Sequence, residues 1–153
     1  MGECEIKDTI KLRKPRPFVA KGQAYLMPKK SVVNRIIGDS HFELEFANFL
    51  DQCPEVQSFA KNYLAVRFKL DYVNATGDIS DYYPDFIVKL ADHRVVIVET
   101  KGLSDLNVPL KMARLKQWCE DLNQSQDKTQ FQFFLSMKKD LRSMHHEISS
   151  SLK

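Results

Sequence analysis

A chain of 153 residues with 43% apolar content suits one domain, a sheet covered by helices, and leaves no room for a second folded unit. Its three cysteines, Cys4, Cys53 and Cys119, form no CxxC pair, which argues against a disulfide framework and a structural zinc site, and the longest aliphatic run, Val95 to Val98, is far too short to span a bilayer. With no apolar leader, the expectation is a soluble, cytoplasmic protein with no membrane association. The net charge of +3 hides an asymmetry, because the stretch 9–38 holds Lys11, Arg13, Lys14, Arg16, Lys21, Lys29, Lys30 and Arg35 with no acid, so the remainder stands at −5. Residues 1–38 therefore read as a basic arm or linker, broken by Pro15, Pro17 and Pro28, and residues 39–153 as the folded domain. Such an arm suits phosphates, with Lys29 and Lys30 its contacts nearest the domain.

In chain order, Asp39-Ser40 starts a helix whose Phe42, Phe46, Phe49 and Leu50 recur at helical spacing until Pro54 stops it. The residues from Tyr63 to Val73 are rich in strand formers, and Asn74 to Asp78 reads as a loop. Tyr82 to Leu90 and Arg94 to Lys101 read as an antiparallel hairpin about the polar segment Ala91-Asp92-His93. The residues from Asp105 to Leu122 form a second helix carrying Val108, Met112, Leu115, Trp118, Cys119 and Leu122 on one stripe, with Pro109 tolerated in its first turn. Phe131 to Met137 is a fourth strand, and Lys138 to Leu152 a last helix with Leu141, Met144 and Ile148 inward.

The hairpin concentrates the chemistry. A turn centred on Asp92 sets Asp85 opposite Glu99, with Cβ atoms about 5 Å apart, and two carboxylates that close repel unless a cation lies between them. Alternation puts Glu99 and Lys101 on one face and Thr100 on the other. Val95 to Val98 is apolar on both faces, as in a central strand covered on both sides, so Glu99 leaves the end of a buried strand. Two acids and a lysine gathered there have the composition of a metal-dependent phosphodiesterase site. Taken singly, each has a bland reading: Asp85 opens a turn, and Glu99 and Lys101 form a surface pair. The combination is what favours a site.

The helix-strand order, Pro84-Asp85, Glu99-Thr100-Lys101 and the acid-bearing first helix together resemble the PD-(D/E)XK nuclease superfamily. More narrowly, Asp39-Ser40-His41-Phe42-Glu43-Leu44-Glu45-Phe46-Ala47, then Tyr82-Tyr83-Pro84-Asp85-Phe86-Ile87-Val88, then Val98-Glu99-Thr100-Lys101-Gly102 resemble the C-terminal endonuclease domain of type III restriction enzyme Res subunits. The resemblance spans about residues 31 to 124. It implies an α/β fold with a restriction-endonuclease-like αβββαβ core, a mixed central sheet flanked by helices, and here an extra C-terminal helix. It implies Mg²⁺, with Mn²⁺ as substitute, held by Asp85, Glu99 and the Thr100 carbonyl, with Lys101 orienting the attacking water or stabilising the transition state. No GxxxxGK[ST] occurs, so the chain carries no ATP site of that type.

Glu43 is the candidate acid from the first helix, although Ser40-x-x-Glu43 is also a capping box and Glu45 is the alternative. Lys111, Arg114 and Gln117 share a flank of the second helix and are candidates for holding a phosphate, against the ordinary reading of a solvated face. Trp118 reads as a core residue; His145-His146 has no acid or cysteine at ligand spacing, and His41 and His93 are isolated, so no zinc or HNH-type site is supported. The expected function is an Mg²⁺-dependent endonuclease domain on double-stranded DNA, partnered by a helicase/ATPase domain and a modification methyltransferase subunit, with dimerisation compatible with double-strand cleavage. The competing readings are a stand-alone structure-specific nuclease on DNA or RNA, and a non-catalytic DNA-binding module of the same fold.

Overall fold

Two short strands open the described chain: β1, Tyr25–Leu26, pairs antiparallel with β2, Ile36–Ile37. The computed structural model describes residues 11–12, 17, 19, 21–63, 66–101 and 105–137, with the backbone alone for Lys101 and Met137. Residues 21–38 are thus built into the fold beyond their basic character. Ile36 joins the core, Val32 N–H donates to Phe59 O, and Phe59 N–H donates to Lys30 O.

Helix α1, His41–Gln52, begins at Ser40, whose hydroxyl accepts the Glu43 N–H at 3.2 Å while Glu43 Oε2 accepts the Asp39 N–H at 2.9 Å. The expected capping box is formed, with its return bond one residue earlier than the usual pattern. Phe42, Phe46, Ala47 and Leu50 make the buried stripe; Phe49 is only half-buried. At the other end the Lys30 ammonium donates to Cys53 O at 2.6 Å, satisfying a carbonyl left open by the helix, and Pro54 prevents continuation.

Strand β3, Val56–Lys61, follows directly, and it corrects the expectation that the first long strand runs from Tyr63 to Val73. A register shift between Val56 and Ser58 breaks the apolar alternation that would announce it. After β3 the chain turns: Val66 and Arg67 N–H groups both donate to Tyr63 O, and Arg67 takes φ 54°. Strands β4, Leu70–Val73, and β5, Ile79–Tyr82, then form a separate hairpin. The single strand expected from Tyr82 to Leu90 is broken, because Pro84 has no N–H for a ladder, and β6 runs only over Phe86–Leu90.

Strand β7, Val95–Lys101, pairs with β6 in the expected register, Phe86 opposite Val98 and Ile87 opposite Ile97, about a turn where His93 takes φ 72°. Helix α2, Val108–Ser125, starts three residues later than expected with Pro109 in its first turn, and β8, Phe131–Met137, lies parallel to β7. The main sheet is therefore mixed, in the order β3-β6-β7-β8. Its layers follow from the alternation along β7. Val96 and Val98 pack with Phe46, Leu50, Phe59 and Phe86 under α1, whereas Val95 and Ile97 pack with Leu70, Tyr72, Tyr82, Leu115 and Cys119 under α2. Trp118 packs between Phe68 and Phe131 as a core residue, tilted against the first and edge-on to the second, at ring distances of 5.0 and 5.5 Å. The helix expected over Lys138 to Leu152 lies outside the described residues. Among the described residues no helix is long and apolar enough to cross a membrane.

Candidate functional site at the end of the central strands

Burial deepens along β7 until it reaches Glu99, 1% exposed, and Thr100, 6% exposed. Two polar side chains thus sit where the sheet ends inside the protein. Asp85 stands beside them, one step beyond the last paired residue of β6. Its N–H donates to Val98 O at 2.9 Å and its carbonyl accepts the Asn62 N–H at 2.7 Å. Asn62 also donates from its side chain to Pro84 O and Phe68 O and accepts the Phe68 N–H, at 2.6 to 2.8 Å. That amide ties the loop after β3 to the Pro84-Asp85 corner, so the aspartate is held from its own backbone outward.

The Asp85 carboxylate reaches across the hairpin. Its Oδ2 accepts both the backbone N–H and the hydroxyl of Thr100, each at 2.6 Å. Bonds to an ionised acceptor are about twice as strong as neutral ones, so this contact locks the rotamer of Asp85. A residue in a strand turns its N–H and C=O to the same edge, so the Thr100 carbonyl leaves β7 on the side where Asp85 stands.

Glu99 faces the α2 layer with Ile97, by alternation from the packed positions of β7. Tyr82, at the end of β5, packs in the same layer and is 2% exposed. Burial first, then the charge of the Glu99 carboxylate, then that of Asp85, hold its hydroxyl far above the usual tyrosine range. Both carboxylates therefore bear on one phenol. On the α2 side, the Lys111 ammonium lies 5.8 Å from the Tyr82 ring centroid and 5.9 Å from that of Tyr72, and pairs with Asp105 Oδ2 at 3.0 Å. Lys111 is turned inward toward this layer, unlike a residue on a solvated flank.

Glu43 is placed differently. Besides its cap contact, its Oε2 meets the Lys61 ammonium at 3.1 Å, and Asp39 Oδ2 meets the same nitrogen at 3.3 Å. Lys61 is 5% exposed and pairs in register with Phe86, on the α1 side of the sheet. Glu99 faces the other side. Glu45 is turned outward and pairs with His41 at 3.2 Å.

The remaining candidates are dispersed. Arg114 Nε donates to Asp71 O, joining α2 to β4, and the Gln117 amide donates to Asp121 on its own helix. The backbone N–H groups of Lys29 and Lys30 share Asp51 Oδ1, and the Lys30 ammonium is spent on α1. Lys101 closes β7 with its backbone opposite Met137; its side chain lies outside the described residues. Sequence reasoning missed Lys61, Asn62 and the closeness of Tyr82. The available signals were Lys61 at the end of a short apolar segment and Tyr82 three residues before the candidate acid.

Among the described residues no three His, Cys, Asp or Glu side chains converge to hold a metal ion. The donor set at the strand ends is two carboxylates and a backbone carbonyl, all hard oxygen. That set fits Mg²⁺, which is commonly held by one or two carboxylates with water completing its shell. Comparison with protein-family models, curated proteins and solved structures gives no match.

Proposed function

We propose that the chain is an Mg²⁺-dependent nuclease domain of the PD-(D/E)XK type, hydrolysing phosphodiester bonds in DNA as the cleavage module of a type III-like restriction system. The carrying observation is the placement of Asp85 and Glu99 at adjacent strand ends, with the Asp85 carboxylate fixed by Thr100. The order of α1, β3, β6, β7, α2 and β8, interrupted by the β4–β5 hairpin, supports a restriction-endonuclease-like core.

In this reading Asp85 and Glu99 hold the cation, with the Thr100 carbonyl as third protein donor. A cation held by these residues would supply Lewis acidity, lowering the pKa of water and offsetting charge on the scissile phosphate. Thr100 keeps Asp85 aimed, and Asn62 keeps the corner that carries it. Lys101, the last residue of β7, is the cation for the developing phosphorane charge. Glu43 supports the site through Lys61 and the start of α1. Double-stranded DNA is the substrate, and target choice belongs to a helicase/ATPase domain and a methyltransferase subunit. Lys21, Lys29 and Arg35, exposed on the N-terminal stretch, supply phosphate contacts.

Nicking of supercoiled plasmid by the purified chain tests this reading. Cleavage in Mg²⁺ or Mn²⁺, absent in Ca²⁺ and lost in Glu99→Gln and Lys101→Ala, is the expected result. Cleavage that survives both substitutions removes the assignment, and a preference for junctions or RNA moves it to a structure-specific nuclease. The non-catalytic reading draws on the contacts that occupy Glu43 and Lys30; DNA binding with no metal binding would favour it.

A further inference from the structure

The Tyr82 hydroxyl is fully buried and has no hydrogen-bond partner among the described residues. A buried donor left without an acceptor costs about 1–3 kcal/mol, and such groups in native proteins usually have a reason. Packing does not supply it. Leu70, Ile97, Leu115 and Cys119 surround Tyr82, and Tyr72 meets its ring edge-on at 6.2 Å. Phenylalanine would fill the same space without the penalty.

The position of the hydroxyl supplies a reason. Tyr82 shares a layer with Ile97, and Glu99 is the next β7 residue on that face. After burial itself, the Glu99 carboxylate is the largest influence that keeps the phenol protonated. An ordinary tyrosine is protonated at neutral pH, so this O–H is available as a donor. Over the ring, the Lys111 ammonium lies 5.8 Å from the Tyr82 centroid and is itself paired with Asp105 Oδ2 at 3.0 Å.

We propose that Tyr82 is a positioning residue of the candidate site, its O–H taking one oxygen of Glu99 when the other turns toward Asp85. The proposal rests on the metal-dependent reading and deepens it by naming the residue that sets the Glu99 rotamer. Partners that orient metal-binding carboxylates in this way are typically worth about 10–100-fold in metal affinity.

The test uses the full chain as wild type, Tyr82→Phe and, as a packing control, Tyr72→Phe. Binding of Mn²⁺ is followed by the electron paramagnetic resonance of the free ion, alongside thermal unfolding. Tyr82→Phe should weaken Mn²⁺ by about tenfold while unfolding at the same or a higher temperature, and Tyr72→Phe should leave Mn²⁺ binding unchanged. A purely structural tyrosine gives the opposite pattern, lower stability with unchanged affinity, and that result overturns the proposal.

A second readout needs no metal. In the cation-free chain with ¹³C at tyrosine Cζ, the Tyr82 resonance should move on Glu99→Gln and stay on Glu120→Gln. An unmoved resonance overturns the Tyr82–Glu99 contact. A wild-type chain that binds no Mn²⁺, with the resonance still responding, overturns the metal reading and the positioning role together, so the two failures are distinguishable.

Discussion

Thr100 gives both of its donors, backbone and hydroxyl, to the same Asp85 oxygen at 2.6 Å, joining the two ends of the central hairpin where their ladder stops. Thr100→Val keeps the β-branched shape and removes only the hydroxyl. We expect a stability loss of about 1.5–3 kcal/mol, the range for a hydrogen bond to a charged group, and a fall in plasmid cleavage. Thr100→Ser should retain both properties. Retention in Thr100→Val with loss in Thr100→Ser would show that side-chain shape, and not the donor, holds Asp85.

Lys61 separates an acid held in an ion pair, Glu43, from the proposed metal-binding acid, Glu99. Its ammonium is nearly fully buried and meets Glu43 and Asp39, so Lys61→Met leaves Glu43 half-buried without its cation. Breaking a buried pair from one side costs about 3–5 kcal/mol; because Asp39 is largely exposed, the lower end applies. Glu43→Gln should lower the unfolding temperature while the folded fraction still nicks plasmid, whereas Glu99→Gln should stop nicking with the fold intact. Abolished nicking by folded Glu43→Gln protein would return Glu43 to the active centre.

The elements legible in the sequence are those whose signals are local. Ser40, Glu43 and Pro54 bracket α1, and a short polar turn at Asp92 fixes which residues of β6 and β7 meet. The misplaced elements depend on distant partners. The shift after Val56 hides the alternation of β3, and Pro84 ends one pairing only because β5 has β4 to join. Lys61 reads as a surface lysine until Glu43 and Asp39 are seen to converge on it from α1. The burial of Tyr82 depends on α2, which follows it by more than twenty residues.

Asn62 carries a comparable load for the backbone of the site. Its side chain serves Pro84 O and both polar groups of Phe68, at 2.6 to 2.8 Å. Asn62→Ala strands these groups in a half-buried corner, with an expected cost of about 2–3 kcal/mol. Because the same corner carries Asp85, Mn²⁺ affinity should fall with stability. Unchanged affinity in folded Asn62→Ala protein would separate the clasp from the site.

Alkaline conditions act on the layer under α2. Burial, and then Glu120, push the Cys119 thiol up to about 12 from 9.0, and burial with Glu55 pushes Cys53 up to about 11. In both cases the folded state retains a proton that the unfolded chain loses. Their contribution is fully present below pH 9.0 and is lost as pH rises toward about 11 and 12. Each group then removes up to about 1.4 kcal/mol per pH unit within its window. Cys119→Ala should be less stable at pH 7 through its cavity, yet show a shallower decline between pH 9.0 and about 12 in denaturant titrations. An unaltered slope would mean that Cys119 ionises as freely in the fold as outside it.

The basic N-terminal stretch is best tested by charge, because its backbone is structural. Deleting the first 30 residues would remove the Lys30 contact to α1 and the pairing of Lys30 with Phe59, confusing stability with affinity. Lys21 and Lys29 are exposed, and Lys29 uses its backbone alone to reach Asp51, so Lys21→Gln with Lys29→Gln leaves those contacts in place. If both side chains neutralise phosphates, the slope of log K against log salt for duplex DNA should flatten by about 1.8. The loss should be independent of base sequence, because phosphate contacts carry none. A slope identical to wild type would assign the stretch to the fold alone and place DNA contacts on the rim around Asp85, Glu99 and Lys101.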